Sequence, residues 1–138
     1  MGDGSMLVGK IKYPTYDEKC KKLVLEKKIR FAGILDEFGK LVAGGFKQGL
    51  IPMEGDKQKL TKFMEFISEI SLRRGLDKEL GPINYLAARR DKIILISFPF
   101  PIARMTLLIS ADKDLDIERL ASHVIDTFST EQARLADR

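Results

Sequence analysis

The chain has 138 residues, of which 44% are hydrophobic and 32% are charged, a composition typical of a soluble globular protein. This length accommodates one domain with a proper core and leaves no room for a second. No apolar run approaches the ~18 residues that span a membrane, and the start lacks the apolar core of a signal peptide. We therefore expect a cytoplasmic protein without a transmembrane segment. Cys20 is the only cysteine, which excludes an internal disulfide and a cysteine metal cluster and favours a small buried hydrophobe.

The net charge of +4 is unevenly distributed along the chain. Residues 1–30 hold eight Lys and Arg against four Asp and Glu, so this segment carries the whole excess. Within it, Lys21, Lys22 and Lys28 point away from the apolar side of a predicted helix and are candidate partner-binding residues. Such a basic face could attract nucleic acid, anionic lipid or an acidic protein. Acidic residues interrupt it and aromatic residues do not alternate with the lysines, which favours a solvated helix face over nucleic-acid binding.

The first half of the chain predicts a helix followed by a β-hairpin. Residues 16–28, "YDEKCKKLVLEKK", have helical periodicity, and residues 1–15 before them are assigned to an N-terminal extension. "IRFAGIL" and "KLVAGGF" predict two antiparallel strands that are joined by a tight Glu-Phe-Gly turn. Gly39 in that turn is expected to adopt a positive φ angle.

A second helix is predicted from Asp56, a suitable N-cap, to Gly75, which suits the left-handed residue that closes a helix. Its apolar residues span about 160° of the helical wheel, wider than the ~100° that packing on one sheet requires. They are Leu60, Phe63, Met64, Phe66, Ile67 and Ile70. We expect a surface other than its own sheet to cover part of this helix.

Three further strands are predicted in "INYLAARR", "KIILISF" and "ARMTLLIS". The runs "IILI" and "LLI" are continuous rather than alternating, which indicates burial on both faces of the sheet and hence helices on both sides. Arg89 and Arg90, near a strand end, either blunt a sheet edge or line a partner surface. Between the last two strands "PFPI" predicts a wide connection, whose Phe98 and Phe100 are either core residues or an exposed anchor.

The last helix is predicted from an N-cap at Asp116 to Phe128, and it is the most regular pattern in the chain. Residues 129–138 either extend it or form a tail. The core domain is therefore placed at residues 16–128.

No catalytic, cofactor-binding or metal-binding group can be assembled from the sequence, and we predict a protein that is not an enzyme. "GILDEFGKL" imitates a phosphate-binding loop, but it has one residue too many before Gly-Lys, Leu41 follows the lysine, and a strand rather than a helix comes next. His123, the only histidine, has neither a cysteine nor a second histidine with which to share a metal.

The predicted order of helix, two strands, helix, three strands and helix resembles the roadblock / light-chain-7 superfamily, which has a profilin-like and longin-like architecture. The hairpin "FAGILDEFGKLVAGGF", with Asp36, Gly39 and a strand that starts at Leu41, carries the resemblance together with the apolar second helix. The resemblance implies an α/β (α+β) three-layer sandwich, a five-stranded antiparallel sheet with the first and last helices on one face and the second helix on the other. Uncharacterised archaeal proteins of roadblock-like type are also similar to this chain.

The resemblance also implies a homodimer joined through the second helix and an edge strand, with a scaffolding or regulatory role beside a small GTPase. Met64, Phe66 and Ile70 are the candidate dimer-interface residues. Two other functions stay open at this point: a profilin-like domain that senses a small molecule between sheet and helix, and a nucleic-acid binder that uses the basic first helix.

Overall fold

The computed structural model describes residues 15–50, 57–100 and 103–136. Its elements are α1 (residues 15–24), β1 (Ile29–Leu35), β2 (Leu41–Phe46), α2 (Lys57–Ser71), α3 (Asp77–Leu80), β3 (Leu86–Arg89), β4 (Ile93–Phe100), β5 (Met105–Asp112) and α4 (Ile117–Ala136). The five strands form one antiparallel sheet in the order β2-β1-β5-β4-β3, and the antiparallel five-stranded sheet is as the sequence predicts. The division into an N-terminal extension, a domain over 16–128 and a C-terminal extension stays a prediction.

The helices α1 and α4 pack together on one face of the sheet. Tyr16 of α1 and Phe128 of α4 have ring centroids 6.3 Å apart, and the ring of Phe100 of β4 lies 5.4 Å from that of Phe128. The cluster on this face is apolar and includes Cys20, Leu23, Ile34, Ile96, Ile109 and Val124. Because burial of apolar area is the main stabilising term in folding, this face holds the principal core.

The helix α2 covers the opposite face, where fewer apolar side chains of the described residues pack and two hydroxyls take part. Met64 packs with Phe31, Leu35 and Leu108, and Phe46, Phe63 and Ile67 lie against them. Two hydroxyls of α2 complete the contact: Ser68 Oγ donates to the carbonyl of Asp36 at 2.6 Å, and Ser71 Oγ lies 2.8 Å from Ser97 Oγ. The two faces confirm the three-layer arrangement.

The β1–β2 turn is held by two hydrogen bonds to one carboxylate and by its close packing against α2. Asp36 Oδ1 accepts hydrogen bonds from the amides of Phe38 and Lys40, each at 2.9 Å. Gly39 has φ 83°, which confirms the predicted left-handed residue, and a Cβ there would lie 2.4 Å from Glu65 Cα on α2. The sequence thus forms a turn that only glycine can close against this helix.

Several predicted element ends differ from the structure. In α1 the helix ends at 24, because Leu25 and Glu26 donate to carbonyls three residues back and Lys47 Nζ donates to the carbonyl of Glu26 at 2.7 Å. The predicted N-cap of α2, Asp56, lies outside the described residues. At its other end α2 stops at Ser71, and Gly75 does not have the positive φ that was expected of it. The short helix α3 was not predicted.

The Phe-Pro-Phe sequence at 98–100 belongs to β4 and not to a wide connection. Pro99 pairs with Thr106 of β5, whereas the pairing of β3 with β4 ends at Ser97. β3 therefore has no residue opposite Pro99 that would need an amide hydrogen from it. A strand tolerates proline at such a position. In the last helix Asp116 Oδ1 accepts from the Arg119 amide at 3.2 Å, and α4 continues to Ala136.

Candidate interaction surface

The structure separates the three residues predicted to form a dimer interface on α2. Met64 is only 7% exposed and belongs to the core between α2 and the sheet. Phe66 is 57% exposed, and Ile70, one turn further along the same flank, is partly buried. The solvent-facing part of the predicted interface is therefore Phe66 with Ile70 beside it.

The two edges of the sheet differ in how they are covered. At the β2 edge, Asp17 Oδ1 of α1 accepts a hydrogen bond from the Gly44 amide at 2.8 Å, so α1 occupies the middle of that edge. At the β3 edge, three of the four residues of Leu86–Arg89 are exposed, and the strand pairs with β4 alone in the described sheet. An uncovered edge strand is a template for pairing with another strand. The open edge of this sheet is therefore β3.

The C-terminal end of α2 lies close to the open edge. Ser71, the last residue of α2, lies 2.8 Å from Ser97 of β4, and Leu86 of β3 is the residue opposite Ser97. The end of α2 is thus one strand away from the open edge. We call the combination of Phe66, Ile70 and Leu86–Arg89 the α2–β3 surface.

The predicted basic residues are partly neutralised by acidic neighbours. Lys21 Nζ lies 3.0 Å from Asp17 Oδ2, and Lys28 Nζ lies 3.3 Å from Asp114 Oδ2. Lys22 is exposed. Paired surface charges of this kind weaken the attraction of a helix face for a polyanion.

The remaining predicted contact residues lie in different environments. Arg89 is exposed and donates a hydrogen bond to the carbonyl of Lys113, and Arg90 is exposed beside it. Phe100 is 6% exposed against Phe128, so it belongs to the core and does not face a partner. Of the two interpretations of Phe98 and Phe100, the core one is confirmed.

A small cleft lies between α1 and β2. Its volume is about 130 Å³, and its lining includes Asp17, Cys20, Val24, Gly45 and Phe46. Pockets for drug-sized ligands are usually about 300 Å³ or larger. Burial, with a smaller contribution from the Asp17 carboxylate, raises the pKa of the Cys20 thiol to about 12. The cleft is therefore small, and the Cys20 thiol beside it is neutral and buried.

His123 lies beside one acidic side chain and not within a metal cluster in the described part of the chain. His123 Nε2 lies 3.4 Å from Glu26 Oε2, which links α4 to the end of α1. No group of three or more His, Cys, Asp or Glu side chains is placed to hold a metal within residues 15–50, 57–100 and 103–136. None of the described helices is long and apolar enough to cross a membrane.

Phe38 is an exposed residue that the sequence interpretation did not single out. It stands at the tip of the fixed β1–β2 turn and is 75% exposed. Next to it, Glu37 Oε2 lies 2.9 Å from Arg104 Nε, which joins this turn to the β4–β5 turn. The exposure of Phe38 could have been predicted from the sequence, because a side chain at the tip of a tight turn is too far from the core to be buried in it.

The fold is that of Roadblock/LC7 domains. The structure is similar to a Roadblock/LC7 domain from Streptomyces avermitilis, with 16% identity, a TM-score of 0.62, and coverage of 87% of this chain and 97% of that one. It is also similar to the gliding protein MglB from Thermus thermophilus, with 16% identity, a TM-score of 0.67, and coverage of 91% and 90%. A structure described as MglB with a tetrameric arrangement has 15% identity, a TM-score of 0.64 and coverage of 91% and 90%.

The chain belongs to the family of unknown function DUF6659, whose sequence pattern matches residues 8–137. A search of curated proteins finds no significant match. At identities of 16% or less, the structural similarities establish the fold and not the activity. The archaeal affinity expected from the sequence stays a prediction.

Proposed function

We propose that this protein is a cytoplasmic, non-enzymatic scaffold or regulatory domain that forms a homodimer and acts with a small GTPase or a similar protein partner. The observation that carries the proposal is the α2–β3 surface, where the helix that bears an exposed aromatic residue ends one strand away from the open edge of the described sheet. Pairing β3 with a second β3 would continue the sheet across the dimer, and α2 of each copy would cover the junction.

The asymmetry of the two edges supports this choice of surface. At β2, a second strand would have to displace the carboxylate of Asp17 from the Gly44 amide, which costs a charge-assisted hydrogen bond. At β3, in contrast, Ala87, Ala88 and Arg89 are already exposed. Association through β3 therefore displaces no side-chain cap of this kind.

The polar contact under α2 also supports association through this helix. Among the described residues, its underside is held by Met64 and a few neighbours together with the hydroxyls of Ser68 and Ser71, and fewer apolar side chains pack there than on the α1–α4 side. A second copy over Phe66 would add the apolar burial that α2 lacks in the single chain.

The GTPase part of the proposal rests on the resemblance to the roadblock superfamily, and an MglB structure with a tetrameric arrangement supports assembly of this fold with further copies. The described part of the chain offers less to the two alternatives. Its cleft of about 130 Å³ is small for a sensed ligand, and Lys21 and Lys28 pair with acidic side chains.

The dimer is tested by replacing Phe66 with Asp, alone and together with Ile70→Asp. The wild type should have the mass of a dimer in size-exclusion chromatography with light scattering, and both variants should shift to monomer with unchanged circular dichroism. Ile125→Asp is the matched control, because Ile125 is 53% exposed on α4, across the sheet. A wild-type monomer, or a folded double variant that stays dimeric, contradicts the proposed interface.

The GTPase partner is tested with the wild-type protein as bait in extracts of its native host. The GTPases in the extract are loaded beforehand with either GDP or a non-hydrolysable GTP analogue. We expect a small GTPase to be retained in a nucleotide-dependent manner, and the purified GTPase should then bind directly in isothermal titration calorimetry. Retention of no GTPase with either nucleotide contradicts this part of the proposal and leaves the dimer untouched.

A further inference from the structure

The exposed apolar area of α2 alone is too small for a stable dimer. Among the side chains described for this helix, Phe66 is the one large hydrophobic residue that is mainly exposed. At 57% exposure its ring offers on the order of 100 Å², whereas a stable interface buries about 800 Å² on each partner. Further apolar contact must come from a neighbouring element.

The helix α3 and the residue just before it supply two exposed leucines. Leu76 is 61% exposed and Leu80 is 77% exposed. The amide of Leu80 donates to the carbonyl of Leu76 at 2.9 Å, so the two side chains lie one turn apart on one face. α3 has no buried residue, and an isolated helical turn is unstable in water because nucleation is unfavourable.

Local contacts define the shape of this turn but do not bury it. Arg74 Nε lies 3.3 Å from Asp77 Oδ2, and the amide of Gly81 donates to the carbonyl of Asp77 at 2.8 Å. These contacts leave the leucines in solvent. A leucine pair on a formed but uncovered turn is the arrangement expected of a contact surface for another molecule.

The connection that contains α3 begins and ends at one point near the open edge. It leaves α2 at Ser71, which contacts Ser97 of β4, and it returns to β3 at Leu86, which is opposite the same Ser97. Both ends of the segment 72–85 are therefore anchored beside the open edge. α3 is therefore joined by the chain to both elements of the α2–β3 surface.

We propose that Leu76, which precedes α3, and Leu80 of α3 form part of the interface between two copies of this chain, as an extension of the α2–β3 surface. The inference rests on the proposed dimer and defines its extent. Together with Phe66, the two leucines raise the exposed apolar area to roughly 300 Å² on each copy, a large share of the apolar half of a standard interface.

The other large exposed hydrophobic residues of the described chain lie outside this surface. Leu25 and Ile125 lie on the α1–α4 side, and Phe38 and Leu41 lie at the β1–β2 turn, away from the open edge. The charged side chains of α3 are mixed in sign, and Arg74 is already paired with Asp77. The patch therefore has an apolar centre and a balanced polar rim, as self-association requires.

The test is the dimer dissociation constant of Leu76→Asp and Leu80→Asp, measured by analytical ultracentrifugation. Each variant should weaken the dimer by about tenfold or more, because a charge would be buried in an apolar contact. Leu25→Asp is the matched control, since Leu25 is 82% exposed on the far side of the sheet and should leave the constant within about twofold. Because all three leucines are mainly exposed, the three variants should keep wild-type circular dichroism.

Hydrogen exchange provides a readout that does not depend on substitution of the leucines. Amides of residues 77–81 should be protected in the concentrated wild type and should exchange freely in the Phe66→Asp, Ile70→Asp double variant. Equal exchange in the two proteins overturns the inference.

The outcomes separate the two proposals. If the Phe66 and Ile70 substitutions dissociate the dimer while the Leu76 and Leu80 substitutions do not, the role of α3 is refuted and the proposed dimer stands. If the wild type is a monomer, both are refuted.

Discussion

The carboxylate of Asp17 on α1 accepts a hydrogen bond from the backbone amide of Gly44 on β2, with 2.8 Å between Oδ1 and the nitrogen. The two residues lie 27 positions apart, and their bond gives one edge of the sheet a cap. Gly44 has φ 79°, and a Cβ there would lie 2.1 Å from the carbonyl oxygen of Ala32, so the strand reaches this conformation only with glycine. The cap leaves β3 as the edge available for association.

The first prediction concerns this bond and its dependence on pH. The hydrogen bond from Gly44, followed by that from Lys21, lowers the pKa of the Asp17 carboxyl below its ordinary value of 3.8. A carboxyl with a lowered pKa stabilises the fold above the unfolded pKa and loses that contribution as pH falls through the folded value. Asp17→Asn should therefore lower the free energy of unfolding by about 1 kcal/mol at neutral pH, since a neutral amide accepts a weaker bond.

The measurement is denaturant unfolding of both proteins from about pH 7 to about pH 3, and the difference should shrink as pH falls below 3.8. Asp114→Asn is the matched control, because the Asp114 side chain is 70% exposed in its pair with Lys28. That variant should change stability by less than about 0.5 kcal/mol. A difference that persists unchanged at low pH would show that the carboxylate is not the stabilising form.

The hairpin could be predicted from the sequence because its determinants are local. Asp36, Gly39 and the apolar runs on either side specify a turn between two strands, and the structure has it, with Gly39 at φ 83°. The same locality made α4 predictable, since Asp116 caps its own helix at the Arg119 amide. Short-range hydrogen bonds of this kind can be read directly from residue order.

The rotation of α2 could not be predicted in the same way. A helical wheel gives the width of the apolar arc but not which part of it faces the sheet. In the structure Ser68 and Ser71 set that direction by bonding to Asp36 and Ser97, which are far along the chain. Met64 is consequently buried and Phe66 exposed, although both lie in one apolar arc.

The helix and strand ends that were predicted wrongly also depend on residues that are distant in the sequence. Pro99 is accepted within β4 because the shorter β3 pairs only as far as Ser97, and the length of a neighbouring strand cannot be read from the local sequence. The turn α3 buries none of its residues, so it leaves no apolar periodicity for a sequence pattern to detect.

The second prediction separates two effects that favour glycine at a position: a positive φ angle and the lack of space for a Cβ atom. Gly39→Ala introduces a Cβ at positive φ and places it 2.4 Å from Glu65 Cα, so α2 must shift. Gly49→Ala also has a positive φ, 79°, but meets no atom within 4 Å. We expect a loss of about 1 kcal/mol for Gly49→Ala from conformation alone, and about 3 kcal/mol or more for Gly39→Ala.

Gly75→Ala completes this series, because Gly75 has neither a positive φ nor an atom within 4 Å of a built Cβ. It should be neutral or slightly stabilising. The three midpoints of thermal unfolding should therefore rank Gly75→Ala highest and Gly39→Ala lowest. Equal values for Gly39→Ala and Gly49→Ala would show that the packing of the turn against α2 adds nothing.

The third prediction concerns the reactivity of the single thiol. Cys20 is 0% exposed, and burial raises its pKa from 9.0 to about 12, so the thiol is protonated at about pH 8. Labelling with a disulfide reagent should be slow in the native protein and complete within minutes in denaturant. Native labelling at the rate of the unfolded chain would contradict the burial of Cys20 between α1 and the sheet.

The fourth prediction uses a buried hydroxyl that lacks a partner. Thr106 is fully buried on β5, and its Oγ1 has no hydrogen-bond partner among the described residues. Valine has the same shape without the hydroxyl, so Thr106→Val should raise the free energy of unfolding by about 1 kcal/mol. Ser97→Ala is the matched control on the neighbouring strand, because its hydroxyl is paired with Ser71 at 2.8 Å.

Ser97→Ala should have the opposite sign, with a loss of about 1 kcal/mol, because it leaves the buried Ser71 hydroxyl without its partner. Both variants replace a hydroxyl by an apolar group within β4 and β5 on the side that α2 covers. The sign of the change therefore reports whether the hydroxyl was bonded, and not burial alone. Denaturant midpoints with unchanged slopes are the measurement. Destabilisation by both substitutions would mean that Thr106 has a bonding partner in solution.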